Sequence, residues 1–304
     1  MNQPTSLVKF TDPEAGIRIL SDSRLRWSSP ALFEDPFELS HHSTLNFDSR
    51  KLLASCVKST MGLIFSRDDP LGTSPLIKAI RRWRTEERFD NEEEAQEVLS
   101  ELLTSMVQHR EPEMLRLMKD WRDYTRRLRI LCLTEKHEEN ALWRRYADNH
   151  KGLAIRFACG DETSLPKPQA VRYTDTKPEI TPLAEQMDIL MNGTKVEVQE
   201  SFPDKFLSKS KADIKEREWR VIRHIEGCDL PEQEAHWYEE VPFQQSEVRA
   251  IYFGVAMDSK LKQDVCNLAK RRYPKAKLFQ ARTQNSNFEL EFDRIDSNGE
   301  LVQQ

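Results

Sequence analysis

The sequence predicts an α+β fold, a mixed or antiparallel sheet core carrying a helical insertion. Short segments rich in β-branched and aromatic residues occur near the start and recur from Arg129 onward. Their connections are irregular and show no repeated β-α-β rhythm, which disfavours a doubly wound sheet. Between about 48 and 128 the pattern changes to apolar residues at helical spacing. Residues 1–304 are therefore read as a single α+β domain, with 48–128 a helical insertion and 297–304 a disordered tail. With 38% hydrophobic residues and a mean hydropathy of −0.71, the composition is polar yet sufficient to bury a core.

In chain order, residues 7–10 form a strand, and Thr11, Asp12 and Pro13 turn into a helix carrying Ile17 and Leu20. Residues 25–28 are a second strand, stopped by Pro30. The run Phe33-Glu34-Asp35-Pro36-Phe37-Glu38 is too polar and Pro-interrupted for a core strand. One inserted helix carries Ala95, Val98, Leu99, Leu102, Leu103, Met106 and Val107, with Asn91 and Glu94 placed as a capping box. A second follows Pro112, with Met114, Leu115, Leu117, Met118, Trp121 and Leu128 on its apolar side. Strands then cover 130–133, 153–157, 170–173, 219–225, 248–255, 276–280 and 288–292, and one helix, 260–272, interrupts them.

Several function classes are excluded early. No apolar run approaches the length needed to cross a bilayer, and the first residues have no apolar stretch behind a basic start, so a cytoplasmic protein without membrane contact is expected. Cys56, Cys132, Cys159, Cys228 and Cys266 are odd in number and widely spaced, which suits reduced thiols and no bound metal. A net charge of −5 argues against bulk nucleic-acid binding. Local basic clusters at Arg81, Arg82 and Arg84, at Arg126, Arg127 and Arg129, and at Lys270, Arg271 and Arg272 read as solvated helix faces or as a local nucleic-acid surface. Phosphate-loop, dinucleotide-turn, zincin and nucleophile-elbow motifs are all missing.

Four segments remain. They run from Leu7-Val8-Lys9-Phe10 through Trp27-Ser28-Ser29-Pro30 to Glu38; from Leu131-Cys132-Leu133-Thr134-Glu135 to Leu142-Trp143-Arg144-Arg145-Tyr146-Ala147-Asp148-Asn149-His150-Lys151-Gly152; from Phe206-Leu207-Ser208-Lys209 to Glu216-Arg217-Glu218-Trp219-Arg220-Val221-Ile222; and over Val248-Arg249-Ala250-Ile251-Tyr252-Phe253-Gly254. In this order they resemble the bacterial domain-of-unknown-function family twenty-nine seventy-one over nearly the whole chain apart from the insertion. Glu34 stands where an Asn often precedes Asp-Pro, and Asp213-Ile214-Lys215 where an aromatic usually precedes the Glu-x-Glu.

A second resemblance is to the ADP-ribosyltransferase superfamily: a basic residue on the first strand (Lys9), a hydroxyl on a middle strand (Thr134) and Glu216-Arg217-Glu218 before a later strand. Arg or His is commoner than Lys at the first place, and Cys132 departs from the Ser/Thr motif. This resemblance implies an NAD-dependent transferase, NAD being the substrate, with nucleic acid or protein as acceptor. Breaking the nicotinamide–ribose bond develops an oxocarbenium-like cation, which Glu218 would stabilise while Glu216 deprotonates the acceptor. Lys9 would meet the pyrophosphate, Thr134 would position, Trp143 or Tyr146 would stack, Asp35 would hold a ribose hydroxyl or a catalytic arginine, and Arg220 is counted with them as a cofactor-binding residue. The family resemblance also implies a toxin or phage-defence effector.

Other readings stand beside these. Glu216, Glu218 and Arg220 also suit a surface ion-pair row, with Trp219 and Val221 facing the core. Trp143 and Tyr146 suit a helix core face, Asp35 a turn, and His150 a helix C-terminus that favours a cation. A non-catalytic sensor or protein-interaction module of a defence system, and a metal-dependent nuclease using Asp35, Glu38 and Glu218, are the rival functions.

Overall fold

The computed structural model describes residues 3–227 and 229–302. In order come β1 (Ser6–Thr11), α1 (Pro13–Asp22), β2 (Arg24–Ser28), α2 (Ser49–Phe65), α3 (Pro75–Thr85) and α4 (Glu92–Arg127). There follow β3 (Leu128–Thr134), α5 (Asn140–Tyr146), β4 (Leu153–Ala158), β5 (Gln169–Ala170), β6 (Arg172–Thr174), α6 (Leu183–Asn192) and α7 (Phe202–Lys205). The remaining elements are β7 (Ser208–Ser210), β8 (Glu218–His224), β9 (Tyr238–Pro242), β10 (Val248–Phe253), α8 (Ser259–Arg272), β11 (Lys277–Thr283) and β12 (Leu290–Ile295). The protein is α+β, with a mixed, mostly antiparallel sheet.

Contacts divide the chain into two units. One takes in the chain up to Glu38, Arg126–Lys177 and the chain from Leu207; the other is Leu39–Thr125 with Pro178–Phe206.

In the first unit the strand order is β12-β11-β10-β4-β1-β3-β2-β9, with β8 on β3 and β5 on β8. Within this sheet only the β10–β11 pair is parallel among the described residues, and β6 and β7 form a separate parallel pair. Apolar alternation makes both faces core. Leu7, Ile155, Ile251 and Phe253 pack with Leu20 of α1 and Val265, Cys266 and Ala269 of α8. Val8, Phe10, Ala154 and Ala250 pack with Leu142 and Trp143 of α5. Asp12 starts α1 by accepting from the Ala15 amide (2.8 Å), and Pro13 takes the first helical position, where its missing N–H costs nothing.

The sheet forks. β1 pairs with β4 along its whole length and β3 with β8 from Leu128 to Thr134, yet β1 meets β3 only at Val8↔Thr134 and β2 meets β3 only at Ser28↔Ile130. The fork leaves room between strands that a continuous ladder would close.

In the second unit, Leu52, Cys56 and Ile64 of α2, Ile77 and Ile80 of α3, and Leu99 and Leu103 of α4 share a core with Met191 of α6. Trp121 stacks on Phe206 with centroids 5.3 Å apart, and its indole donates to Ser40 O (3.0 Å). The sequence places a helix break at Pro112, but α4 runs unbroken from Glu92 to Arg127. Pro112 and Gln108 are both exposed, so the Gln108 carbonyl that loses its N–H partner is open to water. Leu102 and Leu115, expected on the apolar stripe, face solvent, and Leu128 opens β3.

Helix α6 is absent from the sequence reading, although Leu183, Met187, Leu190 and Met191 have helical spacing and Gly193 caps it with φ 66°. Residues 170–173, expected as one strand, split between β5 and β6. Strand β9, also unread, pairs with β2 along Arg24–Ser28. Of the tail expected to be disordered, Leu301 bridges Ile295 and the Glu300 amide bonds Asp296, while 303–304 lie outside the described residues.

Of the basic clusters, Arg84 binds the Ser66 carbonyl (2.8 Å) and Arg129 is buried on the Leu128 carbonyl. Cys56, Cys132, Cys159 and Cys266 are free thiols, and Cys228 lies outside the described residues. Among the described residues no helix is long and apolar enough to cross a membrane.

Two glycines are set by close approach. A Cβ at Gly152 would lie 2.1 Å from Thr11 O, and one at Gly254 would lie 2.0 Å from His150 O, both rigid backbone atoms. Gly152→Ala and Gly254→Ala are each expected to destabilise by more than about 2 kcal/mol. Gly62→Ala, in α2 with open space around the new methyl, is expected to stabilise by up to about 1 kcal/mol. Urea unfolding of the three variants checks the contrast.

Candidate functional site

The β3–β8 ladder brings distant residues together. Val8 pairs with Thr134 and Thr134 with Glu218, so β1, β3 and β8 form one row at the fork. Two residues along, Cys132 pairs with Arg220, and strand alternation puts Cys132, Thr134, Glu218 and Arg220 on one face. Trp219 and Val221 point the other way into the core, as the alternation predicts.

The face opposite Trp219 is not surface. Glu216, Glu218 and Arg220 are 7%, 6% and 1% exposed, which overturns the surface ion-pair row. Their charges are compensated internally. Arg220 donates Nε to Glu218 Oε1 (2.7 Å) and grips Glu38 with Nη1 and Nη2 (3.1 and 2.6 Å), while Phe33 lies over the guanidinium. Lys209 reaches Glu216 Oε2 at 2.7 Å and Glu218 Oε2 at 3.1 Å. Arg145 and the Tyr146 hydroxyl close on Glu216 Oε1 (3.0 and 3.2 Å), and Thr134 Oγ1 donates to Glu216 O (2.6 Å). Arg217, between the two glutamates, is left-handed with φ 43°, a strained conformation for a residue with a side chain.

Burial alone would hold Glu218 neutral. Arg220 and then Lys209 outweigh it and pull the carboxyl down to about 2, so it is ionised at neutral pH. Burial works against the Lys209 charge too, but Glu218, Tyr146 and Glu216 raise its proton affinity above the ordinary lysine value. Burial, then Glu218, pushes the Cys132 thiol up, so it stays protonated.

These groups line a cavity of about 560 Å³ that also takes in Lys9, Asp35 and Arg26. Lys9, Thr134 and Glu218, from three separated segments, thus open on the same space. Lys9 Nζ donates to Cys132 O (3.2 Å), and Arg26 lies over the Tyr238 ring (4.2 Å); among the described residues neither pairs with a carboxylate. Asp35 lines the cavity and also accepts from the Phe37 amide (2.9 Å), so it is a turn former as well.

Trp143 is elsewhere. It is fully buried edge-on to Phe10, its indole bound to His137 O (2.7 Å), and only Tyr146 of that pair lines the cavity. Arg220 stands between Glu38 and Glu218, two of the carboxylates of the nuclease reading, and takes the lone pairs a metal would need. Lys209, Arg145 and Arg26 were not singled out from the sequence. The available signal was a charged residue inside a strongly apolar or motif-bearing segment, as in Phe206-Leu207-Ser208-Lys209.

Residues 142–221 match a family model described as "Protein of unknown function (DUF2971)". The match is narrower than the resemblance read from the sequence, and it takes in Arg145, Tyr146, Lys209, Glu216, Glu218 and Arg220. No curated protein and no solved structure matches the chain, so the ADP-ribosyltransferase likeness rests on the residues alone. Within the matched segment, Ala147-Asp148-Asn149-His150-Lys151-Gly152 forms a strained turn: Asp148, Asn149 and His150 are all left-handed, with φ 43°, 50° and 71°. Gly152 N donates to Ala147 O (2.9 Å), and Ala256 N donates to His150 O (3.0 Å), fixing the turn beside the cavity. His150 is no helix-end cation: burial, then Arg144, lowers its proton affinity.

Because the Glu218 value is depressed in the folded state, its contribution to stability is present above the ordinary carboxylate value of 4.5 and is lost as pH falls toward about 2. Glu218→Gln is expected to flatten this acid limb and to cost about 3–5 kcal/mol at pH 7, since Lys209 and Arg220 are left under-compensated. Urea titrations between pH 2 and 7 read both effects; an unchanged stability at pH 7 would show the network to be energetically idle.

Proposed function

We propose that the cavity at the sheet fork is the active site of an NAD-dependent ADP-ribosyltransferase-like enzyme acting on a protein or nucleic-acid acceptor. The observation that carries this reading is the convergence of Lys9, Thr134 and Glu218 on one cavity of about 560 Å³. Lys9 and Arg26, the lining cations without a carboxylate partner, suit a pyrophosphate. Glu218 stays ionised despite burial, which suits a group that must face a developing cation.

In this reading the bond from ribose C1′ to the nicotinamide nitrogen breaks, and its electron pair neutralises the pyridinium as nicotinamide leaves. The acceptor's nucleophile bonds to C1′, and its proton passes to Glu216. Glu218 must first free an oxygen. Its longer contact, to Lys209 at 3.1 Å, is the one to yield, because Lys209 keeps the shorter bond to Glu216 at 2.7 Å. Tyr146 at the cavity wall stacks on a ring of the dinucleotide, and Asp35 accepts from a ribose hydroxyl.

A second reading, a non-catalytic binding module, is favoured by the engagement of both Glu218 oxygens. Nicotinamide release from labelled NAD, with lysate as acceptor, separates the two. The transferase reading expects turnover by the wild type and a fall of about 10²–10³ for Glu218→Gln, roughly 3–4 kcal/mol of barrier. Glu216→Gln should suppress transfer more than hydrolysis, and Lys9→Ala should chiefly weaken NAD binding. Circular dichroism at the assay temperature checks that each variant is folded. A folded wild type that neither binds NAD nor releases nicotinamide sinks the proposal.

A further inference from the structure

Helix α5 and its strained turn also wall a second cavity, of about 530 Å³, through Asn140, Asn149 and His150. The tip of the β11–β12 hairpin closes it, tied by Gln284 N donating to Glu289 O (3.2 Å). The lining is nearly uncharged. Among the described residues its one carboxylate, Glu289, accepts from Asn287 Nδ2 (3.1 Å), and no lysine or arginine lines it to hold a phosphate.

Two buried polar atoms of residues that line it, Asn140 Oδ1 and His150 Nδ1, have no hydrogen-bond partner among the described residues. Leaving such atoms unpaired destabilises a fold, and native structures rarely tolerate it without a ligand, water or function. The left-handed run that ends at His150 adds backbone strain at the same place. At the hairpin tip Phe288 is 98% exposed, an aromatic ring that no neighbour covers. An exposed aromatic beside unpaired neutral hydrogen-bonding atoms is the chemistry that takes a flat, uncharged heterocycle, by stacking on its face and reading its edge.

We propose that this cavity binds a nucleobase, with Phe288 stacking on the ring and Asn140 Oδ1 and His150 Nδ1 meeting its edge. Asn140 Oδ1 accepts from an exocyclic amine, and neutral His150 complements the adjacent ring nitrogen. The base belongs to a free nucleoside: among the described residues no lysine or arginine lines the cavity to meet a phosphodiester backbone, and the chain carries a net charge of −5. The site is separate from the transferase cavity and stands or falls independently of it.

Isothermal titration of the full chain with adenosine, cytidine, guanosine and uridine tests this, with single-stranded deoxyoligonucleotides and maltose as further arms. At least one nucleoside is expected to bind. Phe288→Ala, which removes only an exposed ring, should weaken binding about tenfold, the scale of a base–aromatic stack, and Asn140→Ala should do so independently. Tighter binding of an oligonucleotide than of its nucleoside would assign the base to a strand. No nucleoside binding at millimolar concentration, binding of maltose alone, or binding that survives both Phe288→Ala and Asn140→Ala overturns the proposal.

Discussion

Burial of charge at the sheet fork is the constraint on which the first unit depends. Three carboxylates, Glu38, Glu216 and Glu218, lie beside Lys209 and Arg220 with almost no access to water. Each ion removed from water costs several kcal/mol, and only close, multiply bonded partners offset that. The chain segments that deliver those partners are therefore fixed by electrostatics as much as by packing. The polar run ending at Glu38 must cross the cavity to reach Arg220, and the short strand β7 must present Lys209. The same compensation keeps Glu218 ionised at neutral pH where burial would otherwise neutralise it.

A second constraint is steric. The left-handed turn after α5 is possible only because Gly152 and Gly254 let backbone approach backbone, so the helix that carries Arg145 and Tyr146 is held against β1, β4 and β10. One seven-residue helix consequently serves two cavities: a charged one through Arg145 and Tyr146, and a nearly neutral one through Asn140. Arg145, Tyr146 and the turn through His150 lie in the segment that matches the unknown-function family model, whereas Asn140 precedes it.

Local signals were legible where one residue's chemistry suffices. Asp12 and Pro13 announce α1, and alternation from Trp219 to Val221 announces β8 and its core face. They misled where context decides. Pro112 reads as a break, but an exposed turn tolerates it; residues 170–173 read as one strand, but they divide between two sheets. Strand β9 is not legible locally because Tyr238–Pro242 carries two acids and a proline in five residues and becomes a strand only by pairing with β2. At the site, Glu216, Glu218, Lys9 and Thr134 were visible as candidates. Their burial was not, since alternation says which residues share a face and is silent on what covers it.

By itself the sequence determined the α+β class, most of the strands of the central sheet, the starts of α1, α4 and α8 and the two motif segments that carry the charged residues, because each follows from periodicity, capping or turn chemistry within a few residues. Only the tertiary structure decided that the sheet forks between β1 and β3, that the fork is filled by Lys209, Arg220 and Glu38, and that Trp143 belongs to the core while Arg145 and Tyr146 belong to the cavity. Those outcomes depend on strand register and on ion pairs between residues as far apart as Glu38 and Arg220. Separations of that kind leave no periodic trace in the sequence, because the energy that selects them arises only once water has been excluded from both partners together.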